Sequence, residues 1–344
     1  MSAKYKVLKI SKEIGDTKAI GPGMSAREAA ELAKVGAELV EVSDANKSDV
    51  IEAAKDADII LCGSVPISRW IVEALPKCKA IVTQSVGYDH IDVEAATEHN
   101  IVVVNNPAFA WCVEEVSNHA ILLLLACAKK LTLLESLVRQ GRWAEAKKAQ
   151  PPMGSVFGET LGIVGCGAIG RMTARKAKCF GLTLLGYDPY VEEYLAKENG
   201  IQLVEFSELL QQSDYVSLHP DLNPTSFHMM DEKAFSLMKP SAFLINTARG
   251  KVVDEAALIK ALEEKRIAGA GLDVFEVEPP DKDNPLLKMD NVALLPHSAS
   301  FSDYAFALAP INMTQEVGRI LCGRLPKNVV NKSVKPRFEV AKEA

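Results

Sequence analysis

Three short apolar runs in the second half of the sequence each lead into a polar segment, and these segments hold the groups that a hydride and proton transfer requires. The segments are Asn246–Gly250, Asp273–Pro279 and Pro296–Ser300. Runs of this length and composition predict parallel strands, whose carboxyl ends meet at one edge of a sheet. We therefore expect Arg249, Glu278 and His297 to lie at the same edge.

These three side chains have complementary chemistry. Arginine can bind a carboxylate through two parallel hydrogen bonds, and histidine titrates near neutral pH and can donate a proton. A carboxylate beside the histidine would support its charged form. Each residue also has an ordinary alternative, namely a surface ion pair for Arg249, a solvated loop acid for Glu278 and a structural histidine for His297. Their shared placement favours the chemical interpretation.

A glycine-rich turn lies between an apolar run and a helical segment. It has the pattern G-x-G-x-x-G at Gly165, Gly167 and Gly170. The glycines permit a tight turn, a close approach of a pyrophosphate and close packing of helix on strand, and the helix N-terminus attracts phosphate. The intervening residues Ala168 and Ile169 are expected to contribute to the same dinucleotide site. The alternative is a glycine turn without a ligand.

The next apolar run, 182–187, ends in Asp188. A carboxylate at this position can accept hydrogen bonds from both hydroxyls of an adenosine ribose and would repel a 2'-phosphate. Neither residue of the following Pro189-Tyr190 pair is basic, so the sequence predicts NAD as cofactor. Further cofactor contacts are expected at the strand ends, at His219, Thr247, Ala248 and Asp273.

The composition limits the class of protein. The chain has 344 residues, of which 48% are hydrophobic, and a formal net charge of −6. That length suits two domains better than one. Acidic and basic residues are interspersed, so neither nucleic acid nor an anionic membrane is an expected partner. The N-terminus does not resemble a signal peptide, and the longest apolar run, 120–128, is about half of a membrane span. We expect a cytoplasmic protein.

The seven cysteines lie far apart and form no C-x-x-C pair, so no metal site is expected. Strand-like and helical segments alternate twice along the chain, which predicts an α/β protein with two parallel-sheet, Rossmann-like domains and an active site in the cleft between them. Residues 1–106 and 299–344 are expected to form a substrate domain, and residues 107–298 an NAD-binding domain. A long helix is predicted from Val113 to near Gln140. It is either a core helix or one that also packs against a second subunit, and a homodimer is expected.

The sequence resembles the D-isomer-specific 2-hydroxyacid dehydrogenases over nearly the whole chain. The matching stretches are Ser85–Asp92, Gly162–Gly170, Tyr187–Pro189, Asn246–Gly250, Asp273–Pro279 and Pro296-His297. The resemblance implies that Arg249 binds the substrate carboxylate and polarises the keto oxygen, that His297 exchanges the proton, and that Glu278 orients His297. It also implies that Val86 and Gly87 donate backbone N–H groups to the substrate carboxylate and that Asp273 holds the nicotinamide carboxamide.

Some positions resemble the subgroup that includes the C-terminal binding proteins. They are Val113–Glu115, Asp188–Tyr190 and Pro296–Ser302. Ser298 and Ala299 replace the usual Ile-Gly of the family. The loop Gly63–Ser68 lacks the arginines of phosphoglycerate-specific members, and Glu278 replaces the glutamine of formate dehydrogenases. Phe109 and Trp111 are expected to line either a substrate side-chain pocket or an interface.

The sequence therefore predicts an NAD-dependent D-2-hydroxyacid dehydrogenase for a small, unphosphorylated 2-keto acid. Two alternatives remain open. One is an NAD(H)-sensing interaction protein like the corepressor members of the subgroup, since these retain the same three polar residues. The other is an enzyme that oxidises a small oxyanion such as phosphite.

Overall fold

A computed structural model describes residues 4–11, 24–44, 47–63, 65–105 and 110–341, without the side chains of residues 24, 25, 110, 111, 306, 309 and 310. Phe109 and the side chain of Trp111 lie outside this description, so their expected role stays a prediction. The chain forms two compact units, Met1–Phe109 with Ser302–Ala344, and Ala110–Phe301.

Twelve strands are present in the described part of the chain: β1 (Tyr5–Ser11), β2 (Ala37–Ser43), β3 (Ile59–Cys62), β4 (Ala80–Thr83), β5 (Val102–Val104), β6 (Thr160–Val164), β7 (Thr183–Tyr187), β8 (Gln202–Leu203), β9 (Tyr215–Leu218), β10 (Phe243–Asn246), β11 (Gly269–Leu272) and β12 (Val292–Leu294). The α-helices described are α1 (Met24–Ala33), α2 (Lys47–Ala54), α3 (Arg69–Glu73), α4 (Val93–Glu98), α5 (Ala110–Ala128), α6 (Leu131–Arg139), α7 (Trp143–Ala149), α8 (Ala168–Lys178), α9 (Glu193–Glu198), α10 (Phe206–Gln212), α11 (Glu232–Leu237), α12 (Glu255–Glu263) and α13 (Asp303–Leu321).

The first unit contains a five-stranded parallel sheet in the order β2-β1-β3-β4-β5. Every residue of β3, β4 and β5 is buried. Strands that are apolar on both faces require helices on both faces, and this explains the alternation of strands and helices in the sequence. The residues that follow β4, among them Val86 and Gly87, therefore lie in a loop at the carboxyl edge of this sheet.

The C-terminal segment pairs with the edge strand β5 of the first unit. The backbone N–H of Val330 donates to the carbonyl of Val103. Asn331 accepts a hydrogen bond from the Val103 N–H at 2.8 Å and donates to the carbonyl of Ile101 at 2.9 Å. Asn331 is buried, so these bonds fix the tail along the outer edge of β5.

The second unit contains a seven-stranded parallel sheet in the order β12-β11-β10-β9-β6-β7-β8. The chain runs outward from β6 in one direction and then continues from β9 in the other, which is the doubly wound order of dinucleotide-binding domains. The point of reversal, between β6 and β9, is where such sheets bind ligands at their carboxyl edge. The predicted α/β fold with two Rossmann-like sheets is confirmed.

The prediction of one long helix from residue 113 to residue 140 is wrong. The chain forms α5 and then α6, with a break at Lys130, which adopts a left-handed conformation with φ +49°. The Nζ atoms of Lys129 and Lys130 donate to the carbonyls of Gly154 and Ala149, so tertiary hydrogen bonds accompany the break. Leu123 of α5 packs so close to β11 that a side chain at Gly271 would meet it at 2.9 Å. The apolar middle of α5 is therefore part of the core of the second unit.

No helix among the described residues combines the length and apolar character needed to cross a membrane.

Candidate active site

The glycine turn joins β6 to α8, and two of its glycines are required by the backbone. Gly165 has φ +89°, and a Cβ atom there would lie 2.7 Å from the main chain of His219 and Pro220. At Gly170 a Cβ atom would lie 2.1 Å from the carbonyl oxygen of Gly165. Helix α8 can therefore approach β6 only because neither position carries a side chain.

Gly167 differs from its two neighbours in the motif. It has φ −64°, which any residue can adopt, and a Cβ atom there would have no neighbour within 4 Å. The protein itself therefore does not explain the glycine. The open space lies at the N-terminus of α8, next to Ala168 and Ile169, where backbone N–H groups attract phosphate. The turn thus fits the pyrophosphate of a dinucleotide.

Asp188 follows β7, the neighbour of β6, and its carboxylate is held against the glycine turn. Its Oδ2 accepts the N–H of Cys166 at 2.8 Å, and Oδ1 accepts the N–H groups of Tyr190 at 2.8 Å and Val191 at 3.1 Å. The bond to Cys166 joins the two sequence signals for NAD into one site. The sequence did not predict this bond, because a backbone donor in a distant loop leaves no pattern.

Two buried polar atoms at the carboxyl ends of β9 and β10 have no hydrogen-bond partner among the described residues. They are Nδ1 of His219 and Oγ1 of Thr247. Burial lowers the pKa of His219 to about 4, so its ring is neutral at pH 7, with Nε2 placed 2.9 Å from the hydroxyl of Ser217. Buried polar atoms are nearly always paired. Both atoms are therefore available to polar groups of a ligand at the predicted cofactor edge.

Asn246 shapes the turn after β10. Its Nδ2 donates to the carbonyl of Arg249 at 2.9 Å, and its Oδ1 accepts the N–H of Ala248 at 3.0 Å. The turn therefore closes on a buried side chain, and Thr247 and Arg249 are presented at the edge of the sheet. Thr247 and Ala248 are both expected to contact the cofactor, but the N–H of Ala248 already donates to Asn246 within the turn.

Asp273 ties the end of β11 to the segment that follows β12. The residue is 1% exposed, and its carboxylate accepts the N–H groups of Ser298 at 2.8 Å and Ala299 at 2.9 Å. Burial raises the pKa of Asp273 against the opposing effect of these two bonds. The carbonyl of Asp273 also accepts the N–H of His297 at 2.7 Å. Asp273 thus fixes the backbone that carries the histidine, and its expected contact with a carboxamide stays a prediction.

His297 and Glu278 form a short contact. Nδ1 of His297 lies 2.6 Å from Oε2 of Glu278, and the side chains are 49% and 35% exposed. The hydrogen bond to Glu278 raises the pKa of His297, against the opposing effects of burial and of the Arg249 charge. Burial alone would raise the pKa of Glu278, but hydrogen bonds from His297 and from the Phe275 N–H outweigh it, and this pKa is lowered. The pair therefore favours a charged imidazolium beside a carboxylate.

Arg249 completes the predicted set. It lies just after β10, and its Nη1 donates to the carbonyl of Ala248 at 2.8 Å. Its charge contributes to lowering the pKa values of both Glu278 and His297. The structure thus places the predicted cation, acid and imidazole within electrostatic reach of one another, at the carboxyl edge of a single sheet.

Val86 and Gly87 lie in the first unit, in the loop after β4. Asn105 donates to the carbonyl of Val86 at 2.6 Å, and the hydroxyl of Ser85 donates to the carbonyl of Gly87 at 2.5 Å. The carbonyl of Val86 and the N–H of Gly87 belong to one planar trans peptide and point in opposite directions. Asn105 therefore sets the direction of the Gly87 N–H. The sequence reasoning missed Asn105, because its partner is a backbone atom far away in the chain.

Known proteins are similar to this chain over most of its length. Residues 121–299 match the model of the D-isomer specific 2-hydroxyacid dehydrogenase family for its NAD-binding domain. The glyoxylate reductase of Korarchaeum cryptofilum is 42% identical over 291 residues, which cover 84% of this chain and 87% of that protein. The D-3-phosphoglycerate dehydrogenase of Methanocaldococcus jannaschii is 38% identical over 299 residues, covering 86% of this chain and 56% of that protein. The crystal structure of D-lactate dehydrogenase from Aquifex aeolicus, complexed with NAD and lactic acid, superposes with a TM-score of 0.82 and 29% identity, covering 94% of this chain and 99% of that one.

Proposed function

The chain belongs to the D-isomer-specific 2-hydroxyacid dehydrogenase family, and we propose that it is an NAD-dependent enzyme that interconverts a small, unphosphorylated 2-keto acid and the D-2-hydroxy acid. The observation that carries this proposal is the 2.6 Å contact between His297 and Glu278. It supplies a proton donor whose pKa is raised, and Arg249 acts electrostatically on the same pair.

In the direction of reduction, NADH held at the glycine turn and by Asp188 would supply a hydride to the keto carbon. The proton for the resulting alkoxide comes from His297. Because Nδ1 of His297 is held by Glu278, Nε2 is the nitrogen left to exchange the proton with the substrate oxygen. Glu278 stabilises the imidazolium before the transfer, and it fixes the orientation of the ring. In the direction of oxidation, neutral His297 accepts the hydroxyl proton at the same nitrogen.

Arg249 is proposed to bind the substrate carboxylate and to polarise the keto oxygen. A guanidinium offers parallel donors in a rigid plane, which suits a carboxylate beside a carbonyl. We propose that the N–H groups of Val86 and Gly87 bind the same carboxylate, with Asn105 setting the Gly87 peptide.

The preference for NAD over NADP rests on Asp188. The carboxylate accepts the N–H of Cys166 in the glycine turn and is therefore fixed beside the position expected for the adenosine ribose. A 2'-phosphate there would face a like charge. The following residues, Pro189 and Tyr190, offer no cation to offset this repulsion.

The preference for an unphosphorylated substrate rests on the loop after β3. Residues 63–68 contain no basic side chain, and the next residue, Arg69, pairs with Glu98 at 2.6 Å. A phosphate group on the substrate would therefore lack a cation from this loop. This loop supports an unphosphorylated substrate, although two of the relatives carry the name D-3-phosphoglycerate dehydrogenase.

We also propose that the protein is a homodimer. Support comes from large apolar side chains that are exposed on α5, α6 and α7 of the second unit: Leu122, Leu131, Val138 and Trp143. Exposed apolar side chains on neighbouring helices of the chain are found at many subunit interfaces. Light scattering of the purified protein should give twice the mass of the chain. A monomer at micromolar concentration would contradict this part of the proposal.

The function is tested with a panel of keto acids followed by NADH absorbance. We expect reduction of glyoxylate, pyruvate or hydroxypyruvate with NADH, slower reduction of phosphohydroxypyruvate, and weak activity with NADPH. The His297→Ala variant serves as the inactive control. Failure of every 2-keto acid, or oxidation of phosphite in their place, would overturn the proposal.

A further inference from the structure

Glu255 and Glu276 hydrogen-bond to each other's backbone. The N–H of Glu255 donates to Oε2 of Glu276 at 3.2 Å, and the N–H of Glu276 donates to Oε2 of Glu255 at 3.0 Å. Glu255 is the first residue of α12, and Glu276 lies in the loop after β11, two positions before Glu278. This reciprocal pair, the Glu255–Glu276 latch, joins the helix to the loop that carries Glu278, the proposed partner of His297.

Two further side chains use the remaining oxygens of the latch. Nδ2 of Asn284 donates to Oε1 of Glu255 at 2.7 Å, and Nε2 of His228 lies 3.1 Å from Oε1 of Glu276. Two neighbouring carboxylates repel each other, so they need such partners. The positive end of the α12 dipole acts in the same direction, because both carboxylates lie at its first turn.

The same cluster reaches the turn that carries Arg249. A Cβ atom at Gly250 would lie 1.8 Å from the carbonyl oxygen of Phe275, so the backbones of the two loops are in direct contact. The N–H of His228, whose side chain meets Glu276, donates to the carbonyl of Lys251 at 2.9 Å. The latch therefore lies where the Arg249 turn and the Glu278 loop meet.

Apolar packing cannot fix the Glu278 loop by itself. Phe275 is buried, but Val277 is 69% exposed and Glu278 is 35% exposed at its side chain. Holding an exposed loop in one conformation costs entropy that hydrogen bonds must offset. The two bonds of the latch and its contacts with Asn284 and His228 supply this restraint on the loop.

We infer that Glu255 and Glu276 are positioning residues, which hold the Glu278 loop so that its carboxylate stays within hydrogen-bond distance of His297. The inference rests on the proposed function for the roles of Glu278 and His297. Neither glutamate of the latch touches the substrate in this scheme. They act on His297 indirectly, by setting the distance between Glu278 and His297. A small increase in that distance makes the charged form of His297 less stable and lowers its pKa.

The test measures the pKa of His297 by NMR titration of the imidazole C–H resonances, assigned with His297→Ala. This readout does not depend on turnover. The variants are Glu276→Ala, which removes both side-chain bonds of Glu276, and Glu276→Gln, which removes the same charge but keeps one acceptor. Glu255→Ala tests the other half of the latch. Glu263→Ala, at an exposed site in the last turn of α12, is the matched control.

We expect Glu276→Ala and Glu255→Ala to lower the pKa of His297 by roughly half a pH unit or more. Glu276→Gln should lower it less, and Glu263→Ala should leave it unchanged. The difference between Glu276→Ala and Glu276→Gln separates loss of position from loss of charge. In the enzyme assay the alkaline decline of reduction should move to lower pH in the same order, while the affinity for NADH is retained.

Equal pKa values in Glu276→Ala and Glu276→Gln would overturn the inference, since only the charge would then matter. It would also fail if Glu278→Gln lowered the pKa of His297 while both latch variants left it unchanged. Absence of keto-acid reduction in the wild type would instead count against the proposed function, and the NMR comparison would still decide the role of the latch.

Discussion

Nδ1 of His297 lies 2.6 Å from Oε2 of Glu278, although the two residues follow different strands and His297 has a left-handed backbone with φ +54°. The main chain at His297 is fixed by its own N–H, which donates to the carbonyl of Asp273. The unusual conformation is thus accompanied by one hydrogen bond from the backbone N–H and one contact of the ring, with Glu278.

The pH dependence of reduction should depend on Glu278. Protonated His297 is the donor, and Glu278 raises its pKa, so reduction should decline as the pH rises through that raised value. In Glu278→Gln the support is weaker, and the decline should begin at lower pH. The measurement is kcat/KM for a keto acid against pH. The exposed Glu198→Gln variant is the control, and a decline at the same pH in all three proteins would contradict the assignment.

Removal of the imidazole should affect turnover and leave cofactor binding intact. We expect His297→Ala to lower kcat by roughly 10²- to 10⁴-fold, the usual contribution of a general acid. The NADH dissociation constant, measured by fluorescence titration, should stay close to that of the wild type. If the NADH affinity fell by the same factor as kcat, His297 would be a residue that maintains the cofactor site, and it would not be the proton donor.

Arg249→Lys keeps the positive charge and loses the planar pair of donors. We expect kcat/KM for the keto acid to fall by roughly 10- to 100-fold, which corresponds to the loss of a charge-assisted hydrogen bond. Melting temperature and NADH binding should be retained. Arg266→Lys, at an exposed ion pair with Glu264, provides the matched comparison. If the two variants behaved alike, Arg249 would be no more than a structural ion-pair residue.

Asp188 should determine the choice of cofactor. Asp188→Ala removes both the ribose acceptor and the repulsion of a 2'-phosphate, so the ratio of kcat/KM for NADH over NADPH should shrink. Activity with NADH should fall and activity with NADPH should rise or hold. A wild type that uses both cofactors equally would show that the carboxylate does not discriminate.

The glycines of the turn should separate folding from cofactor binding. Gly170→Ala places a Cβ atom 2.1 Å from the Gly165 carbonyl, so we expect a loss of stability of about 1–3 kcal/mol or more. Gly167→Ala meets no protein atom within 4 Å and should melt like the wild type. Its NADH affinity should nevertheless fall, because the new methyl group occupies the space of the pyrophosphate. Unchanged NADH affinity in Gly167→Ala would remove the turn from the cofactor site.

The sequence predicted the parts of this site that depend on residue type and spacing. Strand ends followed by polar residues identified Arg249, Glu278 and His297, because parallel strands bring their carboxyl ends together. The glycine pattern between a strand and a helix, with Asp188 at the end of the next strand, predicted the dinucleotide turn. Each of these two predictions depends on the residue types within a short stretch of sequence at the end of a strand.

The remaining features depend on contacts between distant segments. The left-handed Lys130 ended the predicted long helix, and nothing in the apolar pattern of residues 120–128 indicates a break there. Glu255 and Glu276 look like ordinary acids of a helix start and a loop, and only the fold shows that each accepts the other's backbone N–H. Such side-chain to backbone bonds leave no periodicity in the sequence.

The pairing of residues 329–331 with β5 also affects the order in which the two units can fold during synthesis. Residues 110–301 form the second unit from one continuous piece of chain, so this unit can close its core as soon as it leaves the ribosome. The first unit must wait for α13 and for Asn331, which are made after the second unit. Until then the outer edge of β5 carries unpaired backbone groups that could join a strand of another nascent chain. The strands of the first unit are thus made before the second unit but can be completed only after it, and during that interval the edge of β5 is open to wrong pairing.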